Sequence, residues 1–111
     1  MGKTLAKKDF DTLLLKALDK TLNSLGQSVK DAIYYHLENT FKIPKETIPK
    51  RIDEFAEAIE KIFGIGARFL EMLIIKNLYE EIGESIEWKE GETFTFKNYL
   101  KIARNKISEE S

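Results

Sequence analysis

The chain has 111 residues, 42% of them hydrophobic and 33% charged, with a net charge of −1 and no cysteine. That length suits a single domain able to bury a core, and that mixture belongs to a folded chain rather than a disordered one. The missing cysteines exclude a disulfide framework, a thiolate metal site and a cysteine nucleophile, and they suit a reducing cytosol.

The charge is unevenly spread. Residues 1–52 carry ten basic and six acidic groups, residues 53–92 four and eleven, and residues 93–111 four and two. A uniformly basic nucleic-acid binder is not indicated. An acidic middle between basic ends implies contact between segments of the fold, or a polar partner surface. Lys and Glu are abundant while Asn, Gln and Met are few, a balance in which hyperthermophile proteins lean.

The first residues do not read as a signal peptide, because Asp11, Lys16 and Asp19 interrupt any apolar run. No stretch reaches the ~18 apolar residues of a membrane span. Residues 1–8 read as a frayed start, 9–107 as one helical domain and 108–111 as a frayed end.

From Asp9 the apolar residues Phe10, Leu13, Leu14, Ala17, Leu18, Leu22 and Leu25 recur at helical spacing, and Gly26 stops the helix. Ser28 is the expected N-cap of a second helix, with Asp31 three residues on. Its stripe is Val29, Ala32, Ile33, Leu37 and Phe41, and 100° spacing sets His36 and Thr40 inside it. Pro44 ends it. Lys42 to Arg51 holds both prolines and reads as a loop between two helical hairpins, with Ile43 and Ile48 tucked in.

A third helix is expected from Ile52 to Phe63, its stripe formed by Ile52, Phe55, Ala56, Ile59, Ile62 and Phe63, with Asp53 and Glu54 in the first turn. Gly64 is the expected left-handed cap, with Ile65 as the apolar residue behind it. A fourth helix follows from Ala67 to Ile82. It is apolar over more than one face, which calls for several neighbours or an oligomer partner. Residues 84–95 alternate polar and apolar around Glu90-Gly91 and suggest a short hairpin packed through Ile86, Trp88 and Phe94. Thr95 is the expected N-cap of a last helix, Phe96 to about Ile107.

Three stretches carry a family resemblance: Leu25 to Glu38 (LGQSVKDAIYYHLE), Phe55 to Glu71 (FAEAIEKIFGIGARFLE) and Thr95 to Leu100 (TFKNYL). In that order they resemble a small archaeal helical domain, the Nitrosopumilus output domain group, over residues 10–105. The resemblance implies a helical domain that occurs alone or at the ends of signalling-type proteins. It implies an accessory or signal-output role and supplies no catalytic residues.

No catalytic set is apparent in the residues, so an enzyme is not expected. Gly64-Ile65-Gly66-Ala67-Arg68 follows a helix instead of a strand and has Phe69 where a third glycine belongs, so it reads as helix punctuation and not as a phosphate loop. His36, the lone histidine, reads as a buried structural residue, or alternatively as a pH-responsive group. Glu71 falls on an apolar side of the fourth helix and needs a partner, for which Arg68 three residues earlier is a candidate. Glu71, His36 and Arg68 therefore form the candidate buried polar site. Lys97, Lys101, Arg104 and Lys106 form a basic face on the last helix, with no acid between Phe96 and Ile107. Such a face meets solvent, the protein's own acidic middle, an acidic partner or nucleic acid.

The expected architecture is a single all-α bundle of about five helices, the first with the second and the third with the fourth as hairpins. The expected function is a cytoplasmic, non-enzymatic interaction or signal-output module that self-associates or binds a protein partner, with no cofactor, no metal and no membrane. The alternatives are a nucleic-acid-associated regulator using the basic face, and a small-molecule sensor with a pocket beside helix 67–82.

Overall fold

The computed structural model describes residues 2–86 and 95–110, with side chains over 10–86 and 95–108. Five helices run in order: α1 (Gly2–Asn23), α2 (Gln27–Asn39), α3 (Ile52–Phe63), α4 (Ala67–Ile82) and α5 (Phe96–Glu110). Short 3-10 segments occupy Lys45–Lys50 and Gly64–Gly66. The bundle is all-α, and no strand occurs among the described residues. Trp88, Glu90, Gly91 and Phe94 of the expected hairpin lie outside them.

Helix α1 buries Phe10, Leu14, Ala17, Leu18 and Leu22, as its spacing requires. It starts at Gly2 and not at Asp9. Ala6, Lys7 and Lys8 are strong helix formers, a propensity that a search for apolar periodicity does not register. Likewise α5 continues to Glu110.

Helix α2 corrects two expectations. Its N-cap is Gly26, with φ 110°, and Ser28 lies one position inside the helix, making no cap. The Gln27 side chain instead donates to Asp31 at 2.9 Å. The buried face is centred on Ile33 and Leu37, so Val29, His36 and Thr40 on the adjoining face are exposed. At its far end the Ile43 N–H donates back to the Leu37 carbonyl at 2.7 Å, with Lys42 at φ 61° between them. Ile43 and Leu37 are both buried, the apolar contact that accompanies this type of helix end.

The expected loop is in part a helix. After Pro44, Lys45–Lys50 winds into 3-10 geometry and buries Ile48 and Pro49 against the core. Helix α3 then buries Phe55, Ala58 and Ile59, and the Phe55 ring lies 6.3 Å from that of Phe96 in α5.

Helix α4 is the inner partner of α1, and this is the most extensive helix pair. The expected pairings of α1 with α2 and α3 with α4 are present but slighter, because α4 has apolar surface on several sides to bury. Ala67, Leu70, Ile74, Ile75, Leu78 and Tyr79 are its buried residues. Between the two helices the buried Thr21 hydroxyl donates to the Ala17 carbonyl at 2.8 Å and accepts from the Asn77 amide at 2.8 Å. The Tyr79 hydroxyl donates to the Tyr99 carbonyl at 2.9 Å, tying α4 to α5. The whole is flat, with extents of 38 × 37 × 23 Å.

The junction between α3 and α4 differs from expectation. Gly64 has φ 61° and ψ −130°, a combination essentially restricted to glycine and not the left-handed cap. Ile65 is turned away from the core.

Candidate functional site

The expected polar site does not assemble. His36 is exposed on α2, where Nδ1 lies 3.3 Å from the Thr40 hydroxyl and the ring meets Tyr35 edge-on. The reason is the placement of the buried face: covering Ile33 and Leu37 turns the next residue of the stripe outward. His36 shares no hydrogen bond, ion pair or ring contact with Glu71 or Arg68.

Glu71 is half-buried on α4, and Arg68 beside it is exposed. Burial raises the Glu71 carboxyl above the ordinary glutamate value, Arg68 pulls it down, and the like charge of Glu60 pushes it up again. Arg68 attracts Glu71 without forming an ion pair within 4 Å.

The basic face of α5 is largely engaged within the fold. Lys97 bridges to Asp53 at 3.2 Å and Lys106 reaches Glu84 at 3.9 Å. The Arg104 guanidinium lies 4.1 Å over the buried Phe10 ring. Lys101 is exposed and makes no ion pair. Further bridges run from Lys16 to Glu81 and from Lys20 to Glu80, so basic ends meet acidic middle within the molecule.

A polar cluster that the sequence reading missed joins α1, α2 and the 3-10 segment. Asp19 accepts from the Tyr34 hydroxyl at 2.6 Å and from Lys45 at 2.9 Å, with Lys30 at 3.8 Å. The Lys45 ammonium also sits 5.0 Å from the Tyr34 ring centre. Partial burial raises the Asp19 carboxyl, but the bonds from Tyr34 and Lys45 and the charges of Lys45 and Lys30 outweigh it, leaving its pKa lowered. Burial and the adjoining carboxylate push the Tyr34 phenol far above its ordinary range. Tyr34 at the edge of the α2 stripe was the one signal for this cluster. All its members are mutually satisfied, so it reads as a structural clasp.

Chemistry is sparse elsewhere. Among the described residues no three His, Asp or Glu side chains gather as metal ligands. None of the described helices is long and apolar enough to cross a membrane.

The most conspicuous surface is the turn between α3 and α4. Ile65 is 102% exposed and Phe69 68% exposed. The two stand four residues apart, Ile65 in the Gly64–Gly66 turn and Phe69 in the first turn of α4. Met72 and Leu73 follow on the outer side of the helix, half-buried. Arg68 and Glu71 flank this apolar strip on the first turns of α4, and Lys76 and Glu80 follow it. Other exposed apolar residues, such as Tyr35 on α2 and Ile102 on α5, sit on otherwise polar stretches, as is common on protein surfaces. The chain matches no family model, no curated protein and no solved structure.

Proposed function

We propose that this protein is a non-enzymatic interaction module of the cytosol whose docking surface is the apolar tip between α3 and α4. The observation that carries the reading is the pairing of a glycine-only backbone at Gly64 with a fully exposed Ile65 and an exposed Phe69 beside it. An apolar pair this exposed contributes nothing to the packing of its own fold. It gains free energy only when something covers it. The resemblance to the archaeal output domain group supports the same role, since such a domain acts through what it touches.

The nucleic-acid reading has less support, because three of the four cations on α5 are engaged within the molecule. Among the described residues, no feature beside α4 favours the small-molecule reading.

Cross-linking tests the docking surface. With benzoylphenylalanine in place of Phe69, irradiation in cells that make the protein is expected to yield discrete adducts. The same group in place of Tyr35 is expected to yield none. No adduct from position 69 would end the reading.

A further inference from the structure

We infer that the occupant of the α3–α4 tip is a second copy of this chain, paired across a two-fold axis. This rests on the tip being a docking surface. It goes further by naming the partner, and the charges around the tip are what identify it.

Much of the remaining surface has its charges paired: Lys16 with Glu81, Lys20 and Lys76 with Glu80, Lys50 with Asp11, Arg51 with Glu54, Lys97 with Asp53. The tip is not paired in this way, a property it shares with Asp31, Glu38, Lys42 and Glu46 near α2 but combines with an exposed apolar pair. The charged residues between positions 57 and 71 are Glu57, Glu60, Lys61, Arg68 and Glu71, and none of them makes an ion pair within 4 Å. They lie on the last turns of α3 and the first turns of α4, the two helix ends that frame Ile65 and Phe69.

Their signs decide between partners. A rim made for a basic or an acidic protein would carry one sign. This rim carries both. An interface across a two-fold axis sets residue i of one copy against residue j of the other and j against i, so a surface of mixed sign can complement its own image. Lys61 and Arg68 of each copy then face acids of the other. The arrangement also relieves a conflict within one copy, where the Glu60 carboxylate disfavours a charged Glu71 and only Arg68 offsets it.

Area sets the strength. Even a fully covered aromatic side chain buries only about 150–250 Å². Two such tips pressed together therefore fall short of the roughly 1,200 Å² at which stable complexes begin. The dimer is weak and reversible, forming and dissolving with concentration.

The test is sedimentation equilibrium of the purified chain up to about 1 mM, the range in which weak association registers. The wild type is expected to show a concentration-dependent dimer. Ile65→Asp and Phe69→Asp, at exposed positions that leave the core intact, are each expected to weaken it at least tenfold. The paired reversals Lys61→Glu/Arg68→Glu and Glu57→Lys/Glu60→Lys are each expected to weaken self-association, and mixing the two variants is expected to restore a heterodimer. A wild type that stays monomeric overturns the inference, while adducts from position 69 to a different protein would leave the docking reading standing. A dimer that survives Ile65→Asp lies elsewhere on the molecule and overturns it too. Loss of the dimer in the apolar variants without recovery in the mixture overturns the two-fold pairing.

Discussion

Lys42 sits at φ 61°, in a conformation that costs an L-residue with a Cβ about 1–2 kcal/mol. It persists because its neighbours hold it: the Ile43 N–H closes on Leu37, and the Arg51 guanidinium donates to the Lys42 carbonyl at 2.7 Å. Both bonds involve backbone atoms and survive a change of side chain. Lys42→Gly is therefore expected to stabilise the fold by about 0.5–1 kcal/mol, the relief being partly offset by a more flexible unfolded chain. Urea denaturation, with the midpoint rising at constant slope, checks it. Glu71 gives a second residue-level outcome. Its carboxyl titrates above the ordinary glutamate value of 4.5, so the charge weighs against the folded state once pH rises through 4.5. Glu71→Gln is expected to raise Tm at pH 7, and the difference is expected to vanish as pH falls below 4.5. An equal difference at both pH values would mean that the change acts through packing. At this scale the sequence was legible where one force dominated. Leu14, Leu18, Ile74 and Leu78 had only burial to obey. His36 was expected inside the α2 stripe and Ile65 behind a left-handed cap, and both were misplaced because a small rotation of the helix in one case and an unusual glycine conformation in the other turned them outward.

The 3-10 segment and its clasp belong to the scale of elements. Six residues containing a proline carry too little periodicity to announce a helix, so Lys45–Lys50 read as loop, although Ile43 and Ile48 were correctly expected to be buried. What holds the segment is long-range: Lys45 reaches Asp19, 26 residues earlier, and Tyr34 reaches the same carboxylate from α2. No local pattern encodes such a meeting. Tyr34→Phe removes a hydrogen bond to a charged group in a partly buried setting and is expected to destabilise the protein by about 1–2 kcal/mol at pH 7. The clasp also sets two pH limits. Asp19 has a lowered pKa, so its contribution is present above the ordinary value of 3.8 and is lost as pH falls through the folded value. The Tyr34 pKa is raised, so its contribution is present below the ordinary value of 10.0 and declines as pH rises beyond it. In Tyr34→Phe the alkaline decline is expected to shrink, and Tm between pH 9 and 11 measures that.

For the whole molecule, composition and periodicity led to the right class and nearly the right helices, because five amphipathic or apolar segments separated by Gly and Pro leave few other solutions. They did not reveal which helices pair most closely. Short loops pointed to neighbours in sequence, whereas the larger contact is α1 with α4. That choice depends on how much apolar surface each helix still has to cover once its sequence neighbour is in place. The mixed charge asymmetry along the chain was better predicted: the basic ends do meet the acidic middle, through Lys16, Lys20, Lys97 and Lys106.

The hydrogen bond between Thr21 and Asn77 spans 56 residues of chain, with α2 and α3 made in between. As a ribosome releases this protein, α1 emerges before α4, and the most extensive cover of its apolar face is missing until α4 follows. At roughly 5–20 residues per second that wait lasts several seconds. For that interval Leu14, Leu18 and Leu22 are an exposed stripe of the same character as the tip that remains exposed in the finished fold. The nascent α1 is therefore adhesive before α4 exists, and the order of synthesis sets when this helix pair can close.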